Sequence, residues 1–469
     1  MANLKKLPAN KQSSQQLCQQ LSLQLPKQLA VFLRQFFAQQ KLANPQLVVA
    51  LSGGVDSTVL LHALSIAQKT IVFQLSAHHV HHGLSKHADA WANFCRDFCH
   101  KLTIPLNLSH VTVNKNNGLG VEATARTVRY AALQTDLNSW LCLAHHQDDQ
   151  AETLLLQLAR GAGVKGLAGM AFVDVNRQIL RPLLGISRAE IEAYATQNKL
   201  KFVVDESNSD TQFDRNFMRH KLLPLLQTQY PGVSQTLSRT ASHMASANDL
   251  LDELAVADAK LAGFESGLNT NTLNKLALSY LSTLSENRIN NCLRWWMAQM
   301  GLQMPSQQQL QQICQQLMHA KVDANIAIKV SESQTLKRYK QHAYLVDEIP
   351  SILPINILWQ GEETITLPNN TQLTFSKKMG EGLSLRKIAN AKLRIKFREG
   401  NERFLPELGR PRRSLKVMLQ NAEMPPWQRE QLPLIFMDET LVIIPNISVD
   451  ASLQADHTEV GLTVNCLLT

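Results

Sequence analysis

Apolar and polar positions follow two rhythms in this chain, and the change between them divides it. From about residue 46 to 160, short apolar runs alternate with stretches of helical period. Leu47-Val48-Val49-Ala50-Leu51 is an unbroken apolar run, as expected of a parallel strand buried on both faces. Val59 to Leu64 then reads as helix. Further strands are predicted from Thr70 to Val80, Leu106 to Val113 and Leu141 to His145. Helices are predicted from Ser85 to Leu102, Val121 to Leu137 and Asp149 to Arg160. This βαβα order predicts an α/β fold, a parallel sheet with helices on both faces. Ligands of such sheets sit beyond the carboxyl ends of the strands. The segments after three strands, 52–57, 78–82 and 145–149, are therefore expected to converge.

The flanks read differently. Residues 1–45 are rich in Gln, with Leu17, Leu21 and Leu25, then Leu29, Phe32, Leu33 and Phe36, at helical spacing. They predict one or two helices on the domain edge. After Ile179 to Leu184, Ser187-Arg188-Ala189-Glu190 is a capping box, opening a helix to about Asn198. Lys201 to Val204 is expected as a short strand. Pro224 and Pro231 frame a boundary, and 232–320 is long and helical. Asn325 to Val346 suggests a hairpin, Pro350 and Pro354 a linker, and the rest a small β-rich domain. The expected division is a helical extension (1–45), a catalytic α/β domain (46–231), a helical domain (232–349) and an α+β domain (355–469).

Composition adds a partner. The chain has 469 residues and a net charge of +9, enough at ~150 residues per domain for about three domains. Thirteen Lys and Arg between 377 and 416 face only four Glu, so the excess is local. Phe397, Phe404 and Trp427 lie in or just beyond this stretch. Basic residues among aromatics suit RNA phosphates and unstacked bases, though a solvated basic face has the same composition. Arg394, Lys396, Arg398, Arg403, Arg410, Arg412, Arg413 and Lys416 are the candidate contacts. Seven scattered cysteines without a CxxC pair argue for reduced thiols in a cytoplasmic protein. No segment reads as a signal peptide or membrane span.

Several stretches carry chemistry. Ser52-Gly53-Gly54-Val55-Asp56-Ser57 lies between a strand and a helix. There, free N–H groups and the helix dipole favour an anion such as phosphate. A plain βα turn would look similar. Asp56 would repel phosphate unless a cation sits between them, so Mg²⁺ is expected. Asp148, Asp149 and Glu152 in Ala144-His145-His146-Gln147-Asp148-Asp149-Gln150-Ala151-Glu152 suit Mg²⁺, and acids also suit a helix start. Glu122, Arg126 and Arg129 line one helix face, beside a ligand or as a surface ion pair. Asp205, Asp214, Arg215 and Arg219 crowd a further helix start, with Arg215 and Arg219 on one face. His78, His79, His81 and His82 cannot all ligate one ion from a strand, because adjacent side chains face opposite ways. A role beside a substrate is expected for one or two of them.

The stretch SGGVDS resembles the PP-loop of the ATP pyrophosphatase superfamily. Taken with HVHHGLSKHADAW, GLGVEATARTVRY, AHHQDDQAET, LARGAGVKGLAGM, RPLL, DESNSDTQFDRNFMRHKLLPLL and the C-terminal FREGNERFLPELGRPRRSLKVMLQNAEMPPWQREQLPLIF, the chain resembles bacterial tRNA(Ile)-lysidine synthetases. The likeness is close from about 47 to 230 and from about 390 to 446. The resemblance implies an adenine nucleotide alpha hydrolase-like PP-loop domain, a helical tRNA-recognition domain and a tRNA-binding C-terminal domain.

It also implies the reaction. The wobble cytidine of tRNA(Ile) with a CAU anticodon is adenylated by ATP at its C2 oxygen. The L-lysine side-chain amine then displaces AMP, giving lysidine and changing the tRNA from methionine to isoleucine specificity. On this reading Ser52, Gly53, Gly54, Val55, Asp56 and Ser57 bind ATP, and Asp56 with Asp148 or Asp149 holds Mg²⁺. Asp148, Asp149, Glu152, Asp205 and Asp214 receive lysine and its proton, and Arg126, Arg129 and Arg219 steady phosphate or developing charge. Some members are dimers, which leans the expectation toward a homodimer. The alternatives are a PP-loop tRNA thiolase acting on cytidine, a small-molecule amidating synthetase and a non-catalytic RNA-binding protein.

Overall fold

The computed structural model describes residues 11–83, 85–112, 121–134, 138–204, 214–264, 275–320, 326–347, 354–388 and 391–467, with backbone alone at 11–23, 121–123 and 125. The chain divides into two compact units near residue 250.

In the first unit, helix α1 (Lys11–Gln39) runs unbroken through Pro26. Its Leu25, Leu29, Leu33 and Phe36 are buried in the same core as the sheet. Then follow β1 (Gln46–Ala50), α2 (Val55–Ala67), β2 (Gln74–His81), α3 (Ala88–Leu102), β3 (Leu106–His110), α4 (Val121–Leu133), β4 (Ser139–Cys142) and α5 (Gln147–Ala159). After them come α6 (Val164–Leu167), β5 (Val173–Asp174), β6 (Ile179–Leu180), α7 (Arg188–Gln197), α8 (Asp214–Phe217), a π-helical turn (Met218–Leu222) and α9 (Leu223–Gln229). Helix α10 (Val233–Leu261) leads into the second unit.

The sheet order is β3-β2-β1-β4-β6-β5, parallel except for β5. Strand order reverses between β1 and β4. That switch point opens a crevice at their carboxyl ends, and the expected convergence of 52–57 with 145–149 occurs there.

Some elements differ from the sequence reading. The second strand begins at Gln74, because Lys69 and Thr70 still close turns at the end of α2 through Ile66 O and Ala67 O. Lys201 to Val204 is not a strand. Its Val203 N–H donates to Gly53 O at 2.9 Å, so the segment docks on the loop rather than joining the sheet.

The second unit holds helices Glu286–Gln299 and Gln307–His319 beside a four-stranded sheet. The expected hairpin is thus a larger sheet: β8 (Ala327–Lys329), β9 (Gln334–Tyr339) and β10 (His342–Asp347) are joined by β7 (Lys275–Ala277) from the helical stretch. Beyond it, a five-stranded and a four-stranded sheet pack around Phe375, Leu393, Ile395, Leu434, Ile443 and Leu462. A two-stranded ribbon, Arg403–Phe404 with Arg413–Ser414, lies with them. Of the expected linker, Pro350 lies within 348–353, outside the described residues, and Pro354 follows that segment.

Candidate active site

At the end of β1 the chain turns through Ser52, Gly53 and Gly54 into α2. Gly53 has φ +88°, and a Cβ there would lie 2.9 Å from Val203 Cγ2, so both backbone and space require glycine. Ser57 Oγ donates to Gly54 O at 3.0 Å and lies 3.1 Å from Ser52 Oγ. Thr58 Oγ1 donates to Gly53 O at 3.2 Å. These bonds fix the loop from inside, while the first N–H groups of α2 have no partner within the helix.

The histidines of β2 support the loop from behind. His79 Nδ1 donates to Leu51 O at 2.7 Å, and His78 Nε2 meets Ser109 Oγ at 2.8 Å. Burial holds both imidazoles below the usual histidine range. His81 instead pairs with Asp89 at 3.1 Å. Among the described residues no group of three or more His, Cys, Asp or Glu side chains is arranged to hold a metal ion by itself.

Beside the loop lies an acid–arginine cluster built on the start of α5. His146 N–H donates to Asp149 Oδ2 at 2.9 Å. Asp149 Oδ1 accepts from Arg215 at 3.0 Å and Arg219 at 2.8 Å. Glu152, only 1% exposed, takes Arg215 Nε at 2.8 Å and Arg219 Nε at 2.6 Å. Burial pulls the Asp149 carboxyl upward, but its charged neighbours, His146, Arg215 and Arg219, outweigh it and hold it below the usual carboxylate range. The buried His146 imidazole sits among three carboxylates, with Nε2 3.8 Å from Asp56 and 3.4 Å from Asp149, and Nδ1 3.8 Å from Asp148. Burial pushes His145 down to about 3, so it is neutral.

Asp56, in the first turn of α2, faces this cluster. Both its oxygens accept from Arg188 Nη1, at 2.8 and 2.7 Å. Burial still raises its pKa, with His146 and Arg188 only partly offsetting it. Arg188 N–H donates to Asp148 Oδ2 at 2.9 Å, so the start of α7 ties the acids of α2 and α5 together.

Mg²⁺ is commonly held by one or two carboxylates together with substrate phosphates. Asp56 and Asp148 meet that description. Both are hard oxygen donors at the crevice, with side chains 28% and 22% exposed, and Asp56 carries a charge that its burial disfavours.

The structure therefore gathers Ser52 to Ser57, Asp148, Asp149, Glu152 and Arg219. It does not gather Asp214, whose carboxylate pairs with Arg160 at 3.0 Å, both side chains mostly exposed. Arg126 lies on the outer face of α4, 5.2 Å from the Tyr130 ring, yet its charge reaches His145. Arg129 is exposed on the same helix. Asp205, and the Glu122 side chain, lie outside the described residues. The sequence reading missed Arg188 and His146 as site residues. The capping box Ser187–Glu190 forms as expected and accounts for the helix start, so nothing local draws attention to the Arg188 side chain.

In the second unit Phe397 and Phe404 do not offer base-stacking platforms. Phe404 is fully buried and Phe397 nearly so, because the strands carrying them face the core. Trp427 packs edge-on against Tyr339 and Tyr344, with Lys337 Nζ 5.2 Å above its ring. The basic residues separate into paired and open ones. Arg394 is held by Asn356, Lys396 by Glu439, Arg398 by Glu402, Arg410 by Glu407 and Arg412 by the buried Asp450. Arg403 donates to Arg412 O. Arg413 and Lys416 are exposed at the same ribbon.

Profiles of known families match the chain in three places: a PP-loop domain over residues 22–226, a TilS substrate binding domain over 276–344 and a TilS substrate C-terminal domain over 393–466. The chain is 38% identical to tRNA(Ile)-lysidine synthase of Nitrosomonas europaea over 431 residues, 89% of this chain and 91% of that protein. It belongs to the tRNA(Ile)-lysidine synthase family. The corresponding protein of Coxiella burnetii is 35% identical, with 90% of this chain and 93% of that protein covered. The synthase of Serratia proteamaculans is 38% identical, with 88% and 93% covered. A sulfur-transferring alternative within the superfamily gains nothing from the described cysteines, all of which are buried. Burial pushes Cys95 and Cys142 up to about 12, far from a reactive thiolate.

Proposed function

We propose that the crevice between β1 and β4 performs ATP-dependent lysidine formation on tRNA(Ile). The observation that carries this reading is the meeting of segments 52–57 and 145–149 at the carboxyl ends of β1 and β4, with His146 Nε2 3.8 Å from Asp56, in a chain of this family. The loop Ser52 to Ser57, with the N–H groups at the start of α2, cradles the ATP phosphates. Asp56 and Asp148 would hold Mg²⁺, which would supply positive charge to offset that of the phosphates. The C2 oxygen of the wobble cytidine attacks the α-phosphorus and pyrophosphate leaves. The C2 carbonyl oxygen is a poor leaving group; as part of AMP it is a good one.

Lysine is the second substrate. Its ammonium has a reference pKa of about 10.4 and must lose a proton to attack C2. Asp149 and Glu152 already hold two guanidiniums each. One of the acids of the cluster that does not hold the cation receives the proton as the C–N bond forms and AMP departs. Arg219 and Arg215 hold the inner acids in place, and Arg126 and Arg129 offer positive charge at the rim. The basic ribbon of the second unit contacts tRNA phosphate. A homodimer and a cytoplasmic location complete the reading.

The test is pyrophosphate release from Mg-ATP and labelled lysine, with and without a tRNA(Ile) CAU transcript. The expected result is release that needs the tRNA, with label appearing in the RNA. Release without label transfer would point to another nucleophile. Absence of release from protein that still binds tRNA would replace the enzyme reading with an RNA-binding one.

A further inference from the structure

Arg188 is not explained by the reaction as described. Its backbone is rigidly placed. It follows Ser187, whose N–H donates to Glu190 at 2.8 Å, and its own N–H is fixed on Asp148. From this anchor the guanidinium takes both oxygens of Asp56 through Nη1 and Glu192 through Nε at 2.8 Å. The side chain remains 39% exposed, so it is not locked in a core. It bonds the one acid of the phosphate loop, in the same helical turn whose N–H groups face the anion site.

A carboxylate in this position needs a positive partner at all times. Without a ligand, burial disfavours its charge; with ATP, the phosphates repel it. Arg188 Nη1 occupies both oxygens of Asp56, so a divalent cation that takes the same two oxygens competes with it and repels it. A guanidinium displaced from Asp56 finds its nearest strong acceptor in phosphate, which its planar fork matches well.

We infer that Arg188 is a positioning residue that holds the Asp56 carboxylate in the free protein and transfers to a phosphate oxygen of ATP when a divalent cation takes Asp56. Glu192 retains the Nε end, so the transfer is a rotation about a tethered side chain. The inference rests on the proposed binding of ATP at Ser52 to Ser57. It predicts two effects of opposite sign for one substitution. In Arg188→Ala, the unmasked Asp56 binds a divalent cation more tightly without nucleotide, while ATP binding in the presence of that cation weakens.

The experiment uses the full chain. Mn²⁺ binding is followed by electron paramagnetic resonance without nucleotide, and ATP binding by equilibrium dialysis with saturating Mg²⁺. For Arg188→Ala the expected changes are about tenfold each, tighter for Mn²⁺ and weaker for ATP, the scale of one charged hydrogen bond. Arg188→Lys keeps the charge but cannot span Asp56 and Glu192. It should tighten Mn²⁺ and weaken ATP to a smaller degree, and it serves if the alanine variant does not fold. If Mn²⁺ binding does not tighten in either folded variant, Arg188 is only a structural tether and the inference is overturned. Unchanged or tighter ATP binding overturns the transfer to phosphate. Wild-type protein that binds no ATP would instead overturn the proposed function, a separate outcome.

Discussion

Glu152 and Arg219 meet at 2.6 Å, and the acid is almost completely withdrawn from solvent. Arg215 closes the other side, so two guanidiniums of one turn-bearing segment grip one carboxylate of α5. Removing one partner of such a pair strands the others. Glu152→Gln is expected to cost about 3 kcal/mol in urea unfolding, the lower part of the range for broken buried pairs because the arginines are a third exposed. A loss under about 1 kcal/mol would show that the cluster is held by other contacts.

Asp56→Asn tests the loop acid. The amide keeps the shape but loses the charge that holds Arg188 in the free protein and would hold the cation once ATP is bound. Pyrophosphate release is expected to fall more than about a hundredfold, while tRNA binding in a filter assay stays near normal. Near-normal turnover would remove Asp56 from the mechanism.

Gly53→Ala should be worse than a single methyl suggests. The residue would be forced to φ +88° with its Cβ 2.9 Å from Val203 Cγ2. We expect a loss of at least about 1 kcal/mol and weakened ATP binding. Gly54→Ala, at φ −68° with only Ser52 Oγ nearby at 3.5 Å, should fold more normally. Equal stability of the two variants would contradict the assigned strain.

The buried His79 makes stability depend on pH. Burial lowers its folded pKa, the Leu51 carbonyl raises it in part, and the neighbouring histidines lower it further. The unfolded chain therefore takes up a proton first as pH falls below about 6.5. Stability from this group is complete at pH 7 and is lost progressively between that value and the lower folded pKa. Thermal midpoints between pH 7 and 5 should fall less steeply in His79→Gln than in the wild type. Parallel slopes would show that the imidazole is not kept neutral.

The ribbon of the second unit can be probed without harming its core. Arg412 covers the fully buried Asp450 and should be left in place. A variant with Arg410→Ala, Arg413→Ala and Lys416→Ala is expected to bind tRNA more weakly. Its dependence of log affinity on log salt should flatten by about one per lost phosphate contact, with ATP binding unchanged. An unaltered salt slope would move the RNA contact elsewhere. Point substitution is preferable to truncating near residue 350, because Arg429 donates to Tyr339 at 2.6 Å and Trp427 covers Tyr344. Truncation would therefore uncover the sheet of β7 to β10.

Much of the first unit was legible along the chain. The apolar run at 47–51, the helical stretches that follow and the capping box at Ser187 are local patterns set by strand and helix periodicity. They predicted a parallel sheet and the meeting of the Gly-rich loop with the acids after β4. What the chain did not reveal was which charges pair. Arg188 and Asp56 are 132 positions apart and Arg219 and Glu152 are 67 apart, and no local spacing encodes such contacts. Asp214 carried the same local signature as the cluster acids but was turned outward to Arg160. The aromatic residues of the basic stretch, Phe397 and Phe404, looked available in sequence and were claimed by the core of the β-rich region. Periodicity fixes which face of an element is apolar. Only the packing of distant elements fixes which buried charge meets which, because an uncompensated charge in the crevice must find its partner wherever the fold brings one.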